Sequence, residues 1–434
     1  MAASSLLRLF SSSVLLLLLL ISPSHSLRSS KPRSLVLPVR KDAWTSHYLT
    51  YIHQRTPSVP VKLVVDLGGS SLWVDCESNY VSSSYFPARC GSTQCLLANT
   101  TRCYSCTRVP GPGCNENSCN HILYNPISGV LTAGEVARDV VTLQSTDGFS
   151  PGPSTAFRSF AFICAPRDIY VLKNLAGGAK GIAGLGWAPL ALPSQLGFHR
   201  KFALCLSPLT EENGVVIFGD GPYVSGTKLV YTPLITNSVN RMGPFFNVWE
   251  PSSDYYIGVT SIRINGKPVA LNTSLLSIDK KGFGGTRIST VVPYTTLETS
   301  IYEAVTDAFL TEATSTGFIR EAPVSPFEVC IRANVPGIGP DDHVPKLDLV
   351  LQSESVYWRF EHRNSMVTVG DSVLCLGMLD GGLKPETSIV IGGHQLEDNL
   401  LQFDLRGSKL GFSSLLSSAA TCSSFNFTRS AAWH

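Results

Sequence analysis

Charge is scarce in this chain. Asp, Glu, Lys and Arg together make up 15% of its 434 residues, well under the ~25% of ordinary soluble domains. The two signs nearly cancel, leaving a formal net charge of +2. No clustered basic face follows from that balance, so nucleic acid is excluded as a partner. Long apolar runs are equally scarce. The one sustained run, Val14 to Ile21, falls short of the ~20 residues a membrane span needs, so no membrane anchor is expected. Helical periodicity is rare too, and clearest over Ser300–Thr314, where Ile301, Ala304, Val305, Ala308 and Phe309 fall near helical spacing. What the chain has in quantity is apolar residues at 44%, with 36 glycines and 27 prolines to punctuate turns. A chain of this length and apolar content builds two domains or one large β-rich one.

The N-terminus reads as a secretory leader. Arg8 supplies a positive start, Val14–Ile21 the apolar stretch, and Ser24-His25-Ser26 a small-x-small cleavage site. The expected organisation is therefore a signal peptide at 1–26 and a flexible basic start at 27–34. Twelve cysteines agree with export: Cys76, Cys90, Cys95, Cys103, Cys106, Cys114, Cys119, Cys164, Cys205, Cys330, Cys375 and Cys422. An even count in a secreted chain implies six disulfides; zinc at Cys103-Tyr-Ser-Cys106 is the competing reading, and it would want two well-spaced ligand pairs and a reducing compartment. Asn99, Asn272 and Asn426 each open an Asn-x-Ser/Thr sequon and are the expected glycan acceptors.

Most of the remaining pattern is strand. Ser34-Leu-Val-Leu-Pro-Val, Tyr48-Leu-Thr-Tyr-Ile, Lys62-Leu-Val-Val-Asp and Val215-Val-Ile-Phe-Gly are short, rich in β-branched residues, and bounded by Gly or Pro. The fold class is mainly β. A long-range echo links Gly181-Ile-Ala-Gly-Leu-Gly in the first half with Ile389-Val-Ile-Gly-Gly in the second. In Val64-Val-Asp-Leu-Gly-Gly-Ser-Ser-Leu-Trp-Val an acid ends an apolar strand and two glycines allow a tight turn beside it. Asp66 would be held rigidly and partly buried there.

These segments resemble those of pepsin-like aspartic proteases. Asp66-Leu-Gly-Gly-Ser-Ser-Leu-Trp-Val is similar to the first catalytic motif, Tyr124 with Gly129 and Gly134 to the flap hairpin, and Gly181–Gly186 to the strand behind the first catalytic loop. Ile391-Gly-Gly, Phe403-Asp404 and Leu410-Gly411-Phe412 resemble the close of the second lobe. The resemblance implies a bilobal acid-protease fold with two β-barrel-like lobes and few short helices. Its expected N-terminal lobe is 35–230, its C-terminal lobe 231–424, and a tail follows at 425–434. Such proteases use two carboxylates that share one proton. The second motif departs from that pattern. Gly284-Gly-Thr before it and Thr296-Leu with Ile301-Tyr-Glu-Ala-Val after it put Ser289 at the second acid and Val291 at the turn glycine. Residues 286–297 contain no Asp or Glu to slip into place. Leu67 stands where a hydroxyl residue would follow the first acid. Asp66 is then vestigial, and the chain is expected not to be an enzyme. The competing reading, an active hydrolase with a repositioned acid, would rest on Asp279 or Asp380.

A narrower resemblance lies in Asp66-Leu-Gly-Gly, the clustered cysteines, Ile288-Ser-Thr, Val350-Leu-Gln-Ser-Glu-Ser and Ile389–Leu400. These are similar to the plant basic 7S globulin and extracellular dermal glycoprotein family, which includes inhibitors of microbial xyloglucan-specific endoglucanases and relatives of xylanase inhibitors. The resemblance implies a protein in the apoplast or cell wall that needs no cofactor and whose partner is a microbial endoglucanase or xylanase. A peptide ligand or a storage role is the alternative. A glycosidase holds two carboxyl groups around the scissile bond, and an arginine can pair with such groups bidentately. The family's inhibitory loops imply Arg320 for that role, with Lys384 and Arg406 as further candidates, while His394 reads as a packed histidine. Lobe membership pairs Cys76 with Cys164, Cys330 with Cys375 and Cys205 with Cys422, and leaves the local first-lobe pairs open.

Overall fold

Strand follows strand along nearly the whole chain. The computed structural model describes residues 32–76, 79–107, 109–166, 170–221, 223, 227–239, 251–332, 343–413 and 421–427. The expected leader lies outside these residues. All four strands expected from the sequence form, as Ser34–Lys41, Tyr48–Gln54, Val59–Asp66 and Asn213–Gly219. The first already begins at Ser34, which is buried and donates its hydroxyl to the Gly221 carbonyl, so the flexible start does not reach that residue. The long helix runs Thr299–Ser315. Glu298 caps it by accepting the Ser300 and Ile301 amides, and Ile301, Val305, Phe309 and Ala313, four apart, form its buried stripe.

Six strands form the spine. Ser34–Lys41 pairs with Asn213–Gly219, which pairs with Lys201–Cys205. That strand pairs with Leu400–Asp404, followed by Lys409–Phe412 and Val230–Ile235. N-terminal and C-terminal strands thus share one antiparallel sheet, and an aromatic cluster fills the space against it. Phe202 and Phe403 stack at 4.8 Å, Tyr255 lies 4.7 Å from Phe403, and the Tyr255 hydroxyl donates to the Leu185 carbonyl at 2.6 Å. The expected division at 230/231 falls inside the strand Val230–Ile235. The expected tail also begins too early, because Phe425 and Phe427 are buried against the spine.

The long-range sequence echo becomes a structural one. Gly181–Gly184 runs parallel to Val59–Asp66 and antiparallel to Leu72–Asp75. In the second half, Ile389–Ile391 runs parallel to Thr286–Ile288 and antiparallel to Thr295–Leu297. A glycine ends the first crossing strand and directly follows the second, because backbone passes directly over each. A β-carbon on Gly184 would lie 2.4 Å from the Ser71 carbonyl oxygen, and one on Gly392 would lie 2.4 Å from the Tyr294 carbonyl carbon.

All twelve cysteines are bonded. The pairs are Cys76–Cys164, Cys90–Cys103, Cys95–Cys119, Cys106–Cys114, Cys205–Cys422 and Cys330–Cys375.

Candidate functional site

Each parallel crossing delivers a loop to a central cleft, and Asp66 ends the first one. Its Oδ1 accepts the Gly68 amide at 3.0 Å, and its carbonyl accepts the amides of Gly69 and Leu185. Asp66 is 7% exposed. Gly68 is required by what lies above it, since a β-carbon there would sit 2.0 Å from Oδ1 of Asp254. Burial and the nearby charge of Asp254 push the Asp66 carboxyl up to about 7.

The second loop carries Ser289 and Thr290. The Ser289 hydroxyl accepts the amides of Val291 and Val292, each at 3.3 Å. Thr290 reaches into the first loop, where its hydroxyl donates to the Val65 carbonyl at 2.7 Å and accepts the Leu67 amide at 3.0 Å. Leu67 has no hydroxyl to return these bonds, so the cross-tie is one-sided.

Asp66, Ser289, Val291 and Tyr124 all line the cleft, a cavity of about 140 Å³. Tyr124 comes from the hairpin Ser118–Asn125 and Val130–Thr146. The buried Asn125 shapes the hairpin turn by accepting the Ile127 and Ser128 amides, and it anchors it by donating to the Val171 and Lys173 carbonyls. Three charged residues that the sequence did not single out share the cleft: Asp254, Arg287 and Glu386. Arg287 Nη1 lies 3.2 Å from Asp254 Oδ1, and Ser252 donates to the other oxygen at 2.9 Å. The Arg287 Nε is buried without a partner. An arginine within the apolar register Thr286–Ile288 was the one sequence signal for this pair. Asp254, in Ser252-Ser-Asp-Tyr-Tyr, carried none. The acids proposed for a repositioned dyad stay elsewhere. Asp279 accepts the Lys281 and Phe283 amides of its own turn, and Asp380 holds Thr299 and the Gly382 amide.

The expected inhibitory residues do not line this cleft. Arg320 is exposed in the short strand Arg320–Glu321, paired with Cys330–Arg332 and braced by Cys330–Cys375. Lys384 is exposed in the loop between Met378–Asp380 and Ile389–Ile391. Arg406 is exposed at the hairpin turn between Leu400–Asp404 and Lys409–Phe412. His394 faces Glu397 through Nδ1 at 3.2 Å and the Met366 carbonyl through Nε2 at 3.0 Å, a packed position. Asn99, Asn272 and Asn426 are exposed. Among the described residues no group of His, Cys, Asp or Glu could hold a metal ion.

Two family descriptions match this chain: Xylanase inhibitor N-terminal over residues 48–220 and Xylanase inhibitor C-terminal over residues 254–414. The chain belongs to the xylanase-inhibitor-like family of basic 7S globulins. Within this family's curated relatives, a Nicotiana benthamiana protein named Probable aspartic proteinase GIP2 is 50% identical over 95% of this chain and 96% of its own length. The crystal structure of EDGP is 53% identical, covers 92% of this chain and 98% of that one, and superposes with a TM-score of 0.87. Basic 7S globulin from soybean is 35% identical, covers 92% and 100% of the two chains, and gives a TM-score of 0.79. An aspartic proteinase from Irpex lacteus, 17% identical with 91% of this chain and 100% of that one covered, gives a TM-score of 0.53 and shows the shared pepsin-like fold. The family's fold is thus the bilobal acid-protease fold. Among the described residues no helix is long and apolar enough to cross a membrane, and six disulfides together with likeness to EDGP place the protein with secreted chains.

Proposed function

We propose that this is an apoplastic inhibitor of microbial cell-wall-degrading glycoside hydrolases, a xyloglucan-specific endoglucanase or a related xylanase, built on a protease frame that no longer cleaves peptides. One observation carries the loss of peptidase activity. Asp66 accepts the amide two residues on, and Ser289 accepts the amide two residues on in the other loop. The residue after each then meets across the cleft, with Thr290 holding Leu67 and Val65. This parallel supports the reading of Ser289 as the counterpart of Asp66, and a hydroxyl cannot share a proton with it across a water as a second carboxyl does. Asp254 is no substitute, because Arg287 and Ser252 already occupy its oxygens.

The inhibitory role draws on the family's description as xylanase inhibitors and on exposed cations outside the cleft, Arg320 first. Its test is an inhibition panel of microbial endoglucanases and xylanases at apoplastic pH, run with the recombinant mature protein. At least one enzyme is expected to slow, and Arg320→Ala to weaken that inhibition at least ~10-fold, as loss of a charge-assisted pair does. No inhibition across the panel would favour a storage or peptide-binding globulin. Acid digestion of casein would favour the proteinase function that the Nicotiana benthamiana relative's name states.

A further inference from the structure

Trp44 is 95% exposed, more than any other large apolar side chain among the described residues. It packs nothing in this chain, yet its backbone is tightly held. It lies in the turn between Ser34–Lys41 and Tyr48–Gln54. The Asp42 amide donates to the His47 carbonyl at 2.8 Å, and the Ser46 amide donates to the Asp42 carbonyl at 2.9 Å. The Asp42 carboxylate accepts both the amide and the hydroxyl of Thr45, at 2.9 and 2.8 Å. The residues at the two ends of the turn are fastened to one buried acid. Lys41 Nζ lies 2.6 Å from Glu397 Oε1, and the Tyr48 hydroxyl donates to the same oxygen at 2.7 Å.

Packing also links the turn to the hairpin of Arg320, through the buried Phe327. Ser46 reaches the Tyr294 hydroxyl, and Tyr294 meets Phe327 edge-on at 4.8 Å. Phe327 closes the small turn with Val324 that leads into Cys330–Arg332, the strand paired with Arg320–Glu321. Among the described residues Arg320 has no ion-pair partner, because its neighbour Glu321 is taken by Arg332 at 2.6 Å. The surface thus offers an exposed aromatic on a held backbone and, among the described residues, a cation with no ion-pair partner.

We propose that Trp44 anchors a protein-docking surface extending from the Asp42–His47 turn to the Arg320 hairpin, and that its occupant is a glycan hydrolase. This rests on the inhibitor reading above. The charge fits that partner, since a glycosidase groove presents paired carboxylates. Tryptophan on a fixed turn is suited to be an anchor: it buries a large area, carries hot-spot energy, and loses little freedom on binding.

The experiment compares inhibition of a microbial xyloglucan-specific endoglucanase and of a xylanase by the full mature wild type, Trp44→Ala, Trp44→Phe, Arg320→Ala and Phe149→Ala. Phe149 is a 52% exposed aromatic in a different hairpin. Trp44→Ala is expected to weaken inhibition ~30-fold or more, the size of a hot-spot loss, with Trp44→Phe intermediate and Phe149→Ala unchanged. All variants should melt with the wild type. If Arg320→Ala weakens inhibition and Trp44→Ala does not, the docking proposal falls while the inhibitor reading stands. If the wild type inhibits neither enzyme, both fall. If sedimentation shows a wild-type dimer that Trp44→Ala dissociates with inhibition unchanged, a second copy is the occupant and the proposal is overturned.

Discussion

Asp66→Asn makes the electrostatics of the cleft measurable. In the folded protein the Asp66 carboxyl titrates at about 7, against 3.8 for an ordinary aspartate. The folded state therefore holds the proton more tightly than the unfolded chain. The associated stability is complete below about pH 4, declines as pH climbs between the two values, and is gone above about pH 7. A displacement of about three pH units at 1.36 kcal/mol each amounts to about 4 kcal/mol. For a chain of 434 residues this corresponds to about 5 °C in Tm. Asparagine keeps an oxygen for the Gly68 amide but never ionises. The Tm of Asp66→Asn relative to wild type should thus rise by about 5 °C between pH 4 and pH 8, measured by calorimetry or tryptophan fluorescence at matched ionic strength. Parallel curves for the two proteins would refute the reasoning, because Asp66 would then ionise as readily as in the unfolded chain. A wild type that gains stability over the same window relative to the variant would reverse its sign.

Two further outcomes follow from the same structure. Ser289→Asp alone should leave casein undigested at acid pH, because Val291 and the Arg287–Asp254 pair still occupy the cleft; digestion above wild-type background would show that one carboxyl was all that was missing. Replacing both Cys205 and Cys422 with serine removes a crosslink spanning 217 residues and should cost about 2–5 kcal/mol, read as a lower denaturation midpoint; an unchanged midpoint would show that the spine sheet alone fixes the C-terminal segment.

Much of the frame was legible because strand chemistry is local. The runs Tyr48–Ile52 and Lys62–Asp66 announced themselves by β-branched residues between turn formers, and the helix by its four-residue spacing through Ile301, Val305 and Phe309. Asp66 and Ser289 both line the cleft, and the sequence drew attention to each through the segments that flank it. Asp254 could not be placed, since its approach to Gly68 depends on how two distant strands meet across the cleft. The sheet partners of the strand at the expected lobe division were hidden for a similar reason. Polar and apolar alternation marks Val230–Ile235 as a strand but does not say that its partners are Lys409–Phe412 and Tyr255–Ile257. The end at Phe425 and Phe427 looked like a tail by position alone, and only packing against the spine shows otherwise.

The disulfide arrangement bears on how the chain behaves among extracellular proteases. Any single backbone cut between Cys76 and Cys164 is bridged by the bond joining them, and any cut between Cys205 and Cys422 is bridged likewise. A cut between Cys106 and Cys114 is bridged three times over, by Cys76–Cys164, Cys95–Cys119 and Cys106–Cys114. Between Cys76 and Cys422, only the stretch from 165 to 204 lies under neither long bridge. A nicked molecule would therefore migrate as intact on a non-reducing gel and fall apart only when reduced, so that enzymatic attack on most of its loops leaves the pieces attached.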